Sequence, residues 1–244
     1  DPYENTLYTM HVSGNAPENT LINKYNSAAT LPTSAVDSDR YTNTPLPSVV
    51  GAVSAVGHQE LDIGWDKTGT RWFFTSESEH YTTGDRGRYI KRFKISDDGN
   101  DADNLTISDV QQIKVFADTE VFSYGDVSAN QFTTPCISLD GRLLIVEKTN
   151  GVTAGTTTIK VFDAHQVMDK ANAPFAGTEV DVSTDQLYSW EVDNAFDVDD
   201  NQPLQSMASD GAYVYMFSGK YSGTVTASTF TDNKVTVYTV GGEK

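Results

Sequence analysis

His58 stands two and four residues from Glu60 and Asp62 in the stretch GHQELDIGWDKTGTRWFFTSESE (57–79). An imidazole that titrates near neutrality beside carboxyl groups can serve as an acid or base in cleaving a polysaccharide. Glu60 and Asp62 are two apart on one expected strand and so share a face, and Glu77 and Glu79 repeat that spacing at the end of the next. Glycoside cleavage needs two carboxyls facing each other across roughly 5–10 Å. Local spacing does not supply that separation, and with 34 acids in the chain such pairs arise by chance. The catalytic alternative is therefore His58 with Glu60 or Asp62, set against a purely structural role for all three.

Other routes to chemistry are mostly closed. The chain has no G-x-S-x-G elbow and no H-E-x-x-H pair. Lys67-Thr68-Gly69 matches a K-T-G element but lacks the S-x-x-K that accompanies it, and it reads as a hairpin turn. Ser218-Gly219-Lys220-Tyr221 lacks the spacing and the hydroxyl residue of a phosphate loop. Cys136 is the only cysteine, which excludes an internal disulfide or a cysteine-rich zinc site. It lies in an expected strand, where a buried thiol is inert. Asp197, Asp199 and Asn201 begin like a calcium loop, but Gln202 replaces the turn glycine and no closing glutamate follows. Calcium is thus the one cofactor alternative, against an expectation of none. Asn104-Leu105-Thr106 would be a glycosylation acceptor in a eukaryotic secreted protein.

Binding chemistry is better represented. Trp65, Trp72 and Trp190, with many of the 12 tyrosines, lie in or beside expected strands among Asn, Asp, Gln, Ser and Thr. Flat aromatic faces stack on sugar C–H surfaces while amides and carboxylates take the hydroxyls. Packing in a β core uses the same aromatics.

The elements that must position these residues are almost all strands. Short runs alternate apolar with polar residues and stop at Gly, Asn, Asp or Ser. Examples are RWFFTS, RYIKRFKI, RLLIVEK, TTIKVFDA and AYVYMFSG. The one helical signal is FDAHQVMDKANAP (162–174), with Asp163 as its N-cap and Pro174 as its stop. HQELDIGWDKTGTRWFFTSE (58–77), TTPCISLDGRLLIVEKT (133–149) and LQSMASDGAYVYMFSG (204–219) share one grammar. Each is a small-residue strand, a glycine turn and an apolar strand, with a third strand after it. Repeated antiparallel units of this kind predict an all-β chain forming one β-propeller domain. NLTISDVQQIKVFA and TDQLYSWEVDN, placed between the copies, bring the blade count to about five. The opening TLYTMHV…NTLINKYN would be an incomplete blade, which KVTVYTV (234–240) would complete, closing the ring. A two-sheet β-sandwich is the alternative. NSAATLPTSAVDSDRYTNTPLPS (26–48) reads as a long surface loop.

Lysine and arginine number 17 against 34 acids, for a net charge of −17. That field repels phosphate backbones, so nucleic acid is not an expected partner. No window has the eighteen or so apolar residues of a membrane span. The opening DPYENT, with neither methionine nor a signal peptide, reads as a processed chain or as part of a larger chain or assembly.

Gly57-His58-Gln59, Trp72-Phe73-Phe74-Thr75-Ser76-Glu77, the run from Arg86 to Phe93, and Gln205-Ser206-Met207-Ala208-Ser209-Asp210-Gly211 occur in an order that resembles one group of proteins. That group is the helveticin J-type bacteriocins and the phage proteins called teichoic-acid-biosynthesis-C-like, small propellers with G-H-G and Q-G-x-x-x-D-G motifs. Gln59 and Ser206 replace glycines of those motifs, and the likeness spans about a third of the chain. It implies an extracellular or virion-associated binding domain for a cell-surface glycan or wall polymer. The contacts expected are His58, Gln59, Arg86 and Gln205, with Trp65 or Trp72 as a stacking platform. A polysaccharide hydrolase or lyase, and an assembly module of a tail or surface appendage, are the other two readings. Thr134 and Gln205 stand where His58 does in their own repeats, which makes that position architectural first.

Overall fold

The computed structural model describes residues 7–13, 19–25, 60–76, 88–97, 105–120, 133–149, 156–172, 179–193, 204–222 and 229–244. These residues are mostly strand. Strands β1 (Leu7–Ser13) and β2 (Asn19–Tyr25) form an antiparallel hairpin. Sheet I contains β3 (Leu61–Trp65), β4 (Arg71–Ser76), β5 (Tyr89–Asp97) and β6 (Leu105–Lys114), paired antiparallel in that order. Sheet II starts with β7 (Thr133–Ile137), β8 (Leu143–Thr149) and β9 (Thr156–Asp163). Helix α1 (Ala164–Asn172) follows β9. Strand β10 (Glu179–Asp181) then adds to sheet I parallel to β6, and β11 (Tyr188–Asp193) returns to sheet II beside β9. Sheet III is β12 (Leu204–Ser209), β13 (Tyr213–Ser222) and β14 (Thr229–Thr239).

The repeat grammar corresponds to the first two strands of each sheet, and its turns share a mechanism. Asp66 Oδ1 accepts from the Thr68 and Thr70 backbone N–H groups at 2.9 and 3.0 Å. Asp140 Oδ1 accepts from Ser138 Oγ at 2.6 Å and Arg142 N at 3.1 Å. Asp210 Oδ1 accepts from Ala212 N and Tyr213 N, both at 2.8 Å. In each hairpin a glycine takes the left-handed conformation, at Gly69 (φ 79°), Gly141 (φ 73°) and Gly211 (φ 96°). An aspartate that bonds its own following backbone, with a glycine free to take positive φ, is what reverses these chains.

The expected five blades and closed ring do not appear among the described residues. NLTISDVQQIKVFA and TDQLYSWEVDN are not inner strands of further blades: they supply β6 and β11, the fourth strands of sheets I and II. KVTVYTV belongs to β14, which pairs with β13 and, among the described residues, not with the β1–β2 hairpin it was expected to complete. Alternation identified β6, β11 and β14 as strands, while the short β10 carried no such signal, and an outer strand has the same period as an inner one. The architecture is also not a two-sheet sandwich, because sheet II is covered on both faces.

Layering follows from the side-chain pattern. Ile22 and Tyr8 of the hairpin pack on Phe73, Phe93 and Ile95 of sheet I. The opposite face of sheet I, with Trp72, Phe74, Ile90 and Ile113, meets Ile137, Leu144, Val146 and Phe162 of sheet II. The second face of sheet II, with Cys136, Ile145 and Val161, meets Met207, Val214 and Met216 of sheet III. Helix α1 seals the first of these inter-sheet cores. Asp163 caps it as expected, accepting from Gln166 N at 2.9 Å. Its buried residues Ala164, Val167, Met168 and Ala171 recur at helical spacing. Gly64 makes room for it, since a Cβ there would lie 3.2 Å from Met168 Cε. Pro174 and the 26–48 stretch lie outside the described residues.

Candidate functional site

The three sheets come together at their first strands. Strand β7, buried along its whole length, lies against β3, β4 and β12. Polar links close a triangle around this meeting point. Asp62 Oδ2 accepts from Ile137 N at 2.6 Å, tying sheet I to sheet II. Leu139 N donates to Ser209 O at 2.8 Å, tying sheet II to sheet III. Ser206 Oγ donates to Glu60 Oε1 at 3.1 Å, tying sheet III back to sheet I.

Glu60 is not in the strand that was expected to carry it. It precedes β3 with φ 66°, a left-handed conformation rare for a non-glycine residue. Its carbonyl accepts from Thr75 Oγ1 at 3.0 Å. Burial pushes the Glu60 carboxyl up to about 7; the Asp62 charge adds to this, while the Ser206 hydroxyl and the Met207 N–H oppose it. Asp62 is also raised by burial, against bonds from the Ile137 and Ile63 N–H groups and the Cys136 thiol. The Cys136 thiol is held well above its ordinary value by burial and by the Asp62 and Glu60 charges. The thiolate is thereby suppressed, and Cys136 is a packing residue of β7 rather than a nucleophile.

This site brings together two of the sequence-expected residues, Glu60 and Asp62, and joins to them Ser206, which had stood out only as a replacement for a motif glycine. Both Asp62 oxygens accept backbone N–H groups, from Ile63 at 2.8 Å and from Ile137. That engagement makes Asp62 a tie between sheets. Glu60, by contrast, is half-buried and titrates in the neutral range, so its carboxyl can donate to or accept from a ligand hydroxyl.

His58, Gln59, Arg86, Asp197, Asp199 and Asn201 lie outside the described residues. Gln205 contributes backbone to β12, and Trp65 is half-buried at the end of β3. Trp72 is in the interior at 2% exposure. The Arg92 guanidinium lies 3.8 Å from its ring centre, and its indole N–H donates to Asp66 Oδ2 at 3.1 Å. Arg92, fully buried, is held by Gln111 Oε1 at 2.7 Å and Asn172 Oδ1 at 2.9 Å. The face of Trp72 is therefore occupied by a protein cation, and its stacking is internal. Sequence gave no sign of this cage, because Asp66, Arg92, Gln111 and Asn172 are far apart along the chain.

Among the described residues no group of three His, Cys, Asp or Glu side chains is placed to hold a metal ion, and no helix is long and apolar enough to cross a membrane. No protein-family model, curated protein or solved structure matches the chain.

Proposed function

We propose that the chain is a non-enzymatic binding domain, acting outside the cell or on a virion, that recognises a cell-surface glycan or wall polymer. The observation carrying this reading is the Glu60–Ser206 pair at the meeting of the first strands. A half-buried carboxyl that titrates near neutrality, bonded to a hydroxyl, suits the exchange of hydrogen bonds with sugar hydroxyls. Engagement of both Asp62 oxygens and suppression of the Cys136 thiolate favour binding over cleavage. The likeness of residues 57–95, 133–163 and 204–219 to helveticin J-type and phage propeller proteins supports the same reading. On it, the three sheets stacked in sequence order belong to a propeller-like arrangement, and His58, Gln59, Arg86 and Gln205 are the expected ligand contacts, with Trp65 as an additional ring.

Retention of the full chain on intact Gram-positive cells and on their purified wall polysaccharide tests this. The wild type is expected to be retained, and Glu60→Ala to be retained about tenfold less, a loss of ~1.4 kcal/mol. Absence of wild-type retention on either material would overturn the proposal. Release of reducing ends that disappears in His58→Ala would replace it with a hydrolase.

A further inference from the structure

Among the described residues, sheet III is covered on one face only. Met207, Val214, Met216 and Tyr238 point into the core shared with sheet II. The alternate positions point outward, with Tyr213 46%, Phe217 38%, Val235 53% and Val237 40% exposed. Strand pairing sets Phe217 opposite Val235 and Tyr215 opposite Val237. Tyr213, Tyr215 and Phe217 therefore form one row along β13, at intervals of ~7 Å for residues two apart on a strand. On the other side of β13, Ser206 stands opposite Phe217 and Ala208 opposite Tyr215. Cross-strand partners share a face of the sheet. Phe217 of this row thus lies beside the serine that bonds Glu60.

We infer that this outward face is a platform for a neutral polysaccharide. Successive sugar rings stack on Tyr213, Tyr215 and Phe217, and the sugar at the Phe217 end reaches Ser206 and Glu60 with its hydroxyls. The inference rests on the glycan-binding reading above and gives it a ligand class and a surface.

Two observations select this occupant. First, the platform is pre-organised. Tyr215 donates its hydroxyl to Asp210 Oδ2 at 2.9 Å, while Asp210 Oδ1 is pinned by two backbone N–H groups of the hairpin. A ring fixed before binding loses little rotamer freedom when a ligand arrives. Second, the aromatic and valine rows carry no charge, whereas the chain as a whole carries −17. A second copy of the chain, or a phosphate-bearing wall polymer, approaches this face against that field; a neutral glycan meets no such opposition. Aromatic faces supply contact area with sugar C–H groups without requiring charge.

Isothermal titration of the full chain with cellohexaose, chitohexaose, maltoheptaose and xylohexaose tests the inference, with polygalacturonate as the anionic control. The wild type is expected to bind at least one neutral oligomer, with an affinity changing less than about twofold between about 0.05 and about 0.5 M salt. It is expected not to bind polygalacturonate. Tyr213→Ala with Phe217→Ala should weaken binding at least about tenfold with an unchanged far-ultraviolet circular dichroism spectrum. Tyr188→Ala, a similarly exposed tyrosine (48%) on β11, should leave the affinity unchanged. Equal binding by wild type and double variant would overturn the platform while leaving the glycan-binding reading intact. Failure of the wild type to bind any of these oligomers, with retention on cells preserved, would overturn the neutral ligand class. Failure on both oligomers and cells would remove both readings. A wild-type dimer in sedimentation that Val235→Lys dissociates would assign the face to a second copy instead.

Discussion

Glu60 keeps its proton into the neutral range because its partial burial and the nearby Asp62 charge outweigh the bonds from the Ser206 hydroxyl and the Met207 N–H. Its folded-state value of about 7 lies above the unfolded value of 4.5. Between those values the folded chain binds the extra proton, so stability is highest below the window and falls as pH rises through it. We expect a loss on the order of 2 kcal/mol across that range in urea unfolding, reduced from the full shift because Glu60 is only partly buried. Glu60→Gln, which resembles the protonated acid, should flatten most of this slope; an unchanged slope would place the titration elsewhere. Lys148 has the opposite sign. Burial pushes its ammonium down to about 8 from 10.5, with the Lys160 charge adding to the effect and Glu120 opposing it. The unfolded chain then binds more protons across that window, and stability rises with pH through it. Lys148 donates to the Glu120 carbonyl and lies 4.7 Å from the Phe116 ring centre. Lys148→Met preserves the packing stem and leaves only an exposed residue's carbonyl to water. We expect it to stabilise the protein by about 1 kcal/mol at neutral pH, read as an increased urea midpoint. Destabilisation of that size would mean the ammonium holds its loop in place.

At the scale of elements, the hairpin turns are both local devices and contacts between sheets. Gly211 combines a φ of 96° with a position where an added Cβ would fall 2.6 Å from Asp140 Oδ2. Gly211→Ala is expected to cost about 2 kcal/mol, from left-handed strain plus displacement of the neighbouring turn. Gly69→Ala meets the same strain at φ 79° but open space around the Cβ, and should cost about 1 kcal/mol. Thermal melts of the two variants separate the terms: equal losses would show that the contact between turns contributes nothing. These turns were legible in the sequence because Asp and Gly act within five residues of themselves, and the α1 cap at Asp163 was legible for the same reason. The bulge between β5 and β6 was not. Asp109 takes φ 52° there and pairs with Lys94 at 2.8 Å across the strands, a feature set by register rather than by any local signal.

At the scale of the whole molecule, the described residues form a series of layers, with the hairpin, sheet I, sheet II and sheet III packed face on face, and the chain carries a net charge of −17. Self-repulsion on that scale destabilises a folded chain, and salt screens it. Raising ionic strength from about 0.01 to about 0.3 M should increase the melting temperature by several degrees, on the order of 1 kcal/mol for a chain of this size. A flat response would show that the acids are spaced too widely to repel. The sequence by itself determined the all-β character, most strand positions, the three glycine turns, the capped helix and the acidic surface. All of these follow from periods and contacts within a few residues. Only the tertiary structure decided that two strands assigned to further blades are outer strands of sheets I and II. It also placed Trp72 beneath Arg92 and Ser206 against Glu60, and left the Tyr213–Phe217 row facing outward. The physical reason is that a strand's alternation specifies two faces without specifying what covers either one. That choice comes from pairings between residues 8 to 146 positions apart, and the alternation of a strand contains no term for them.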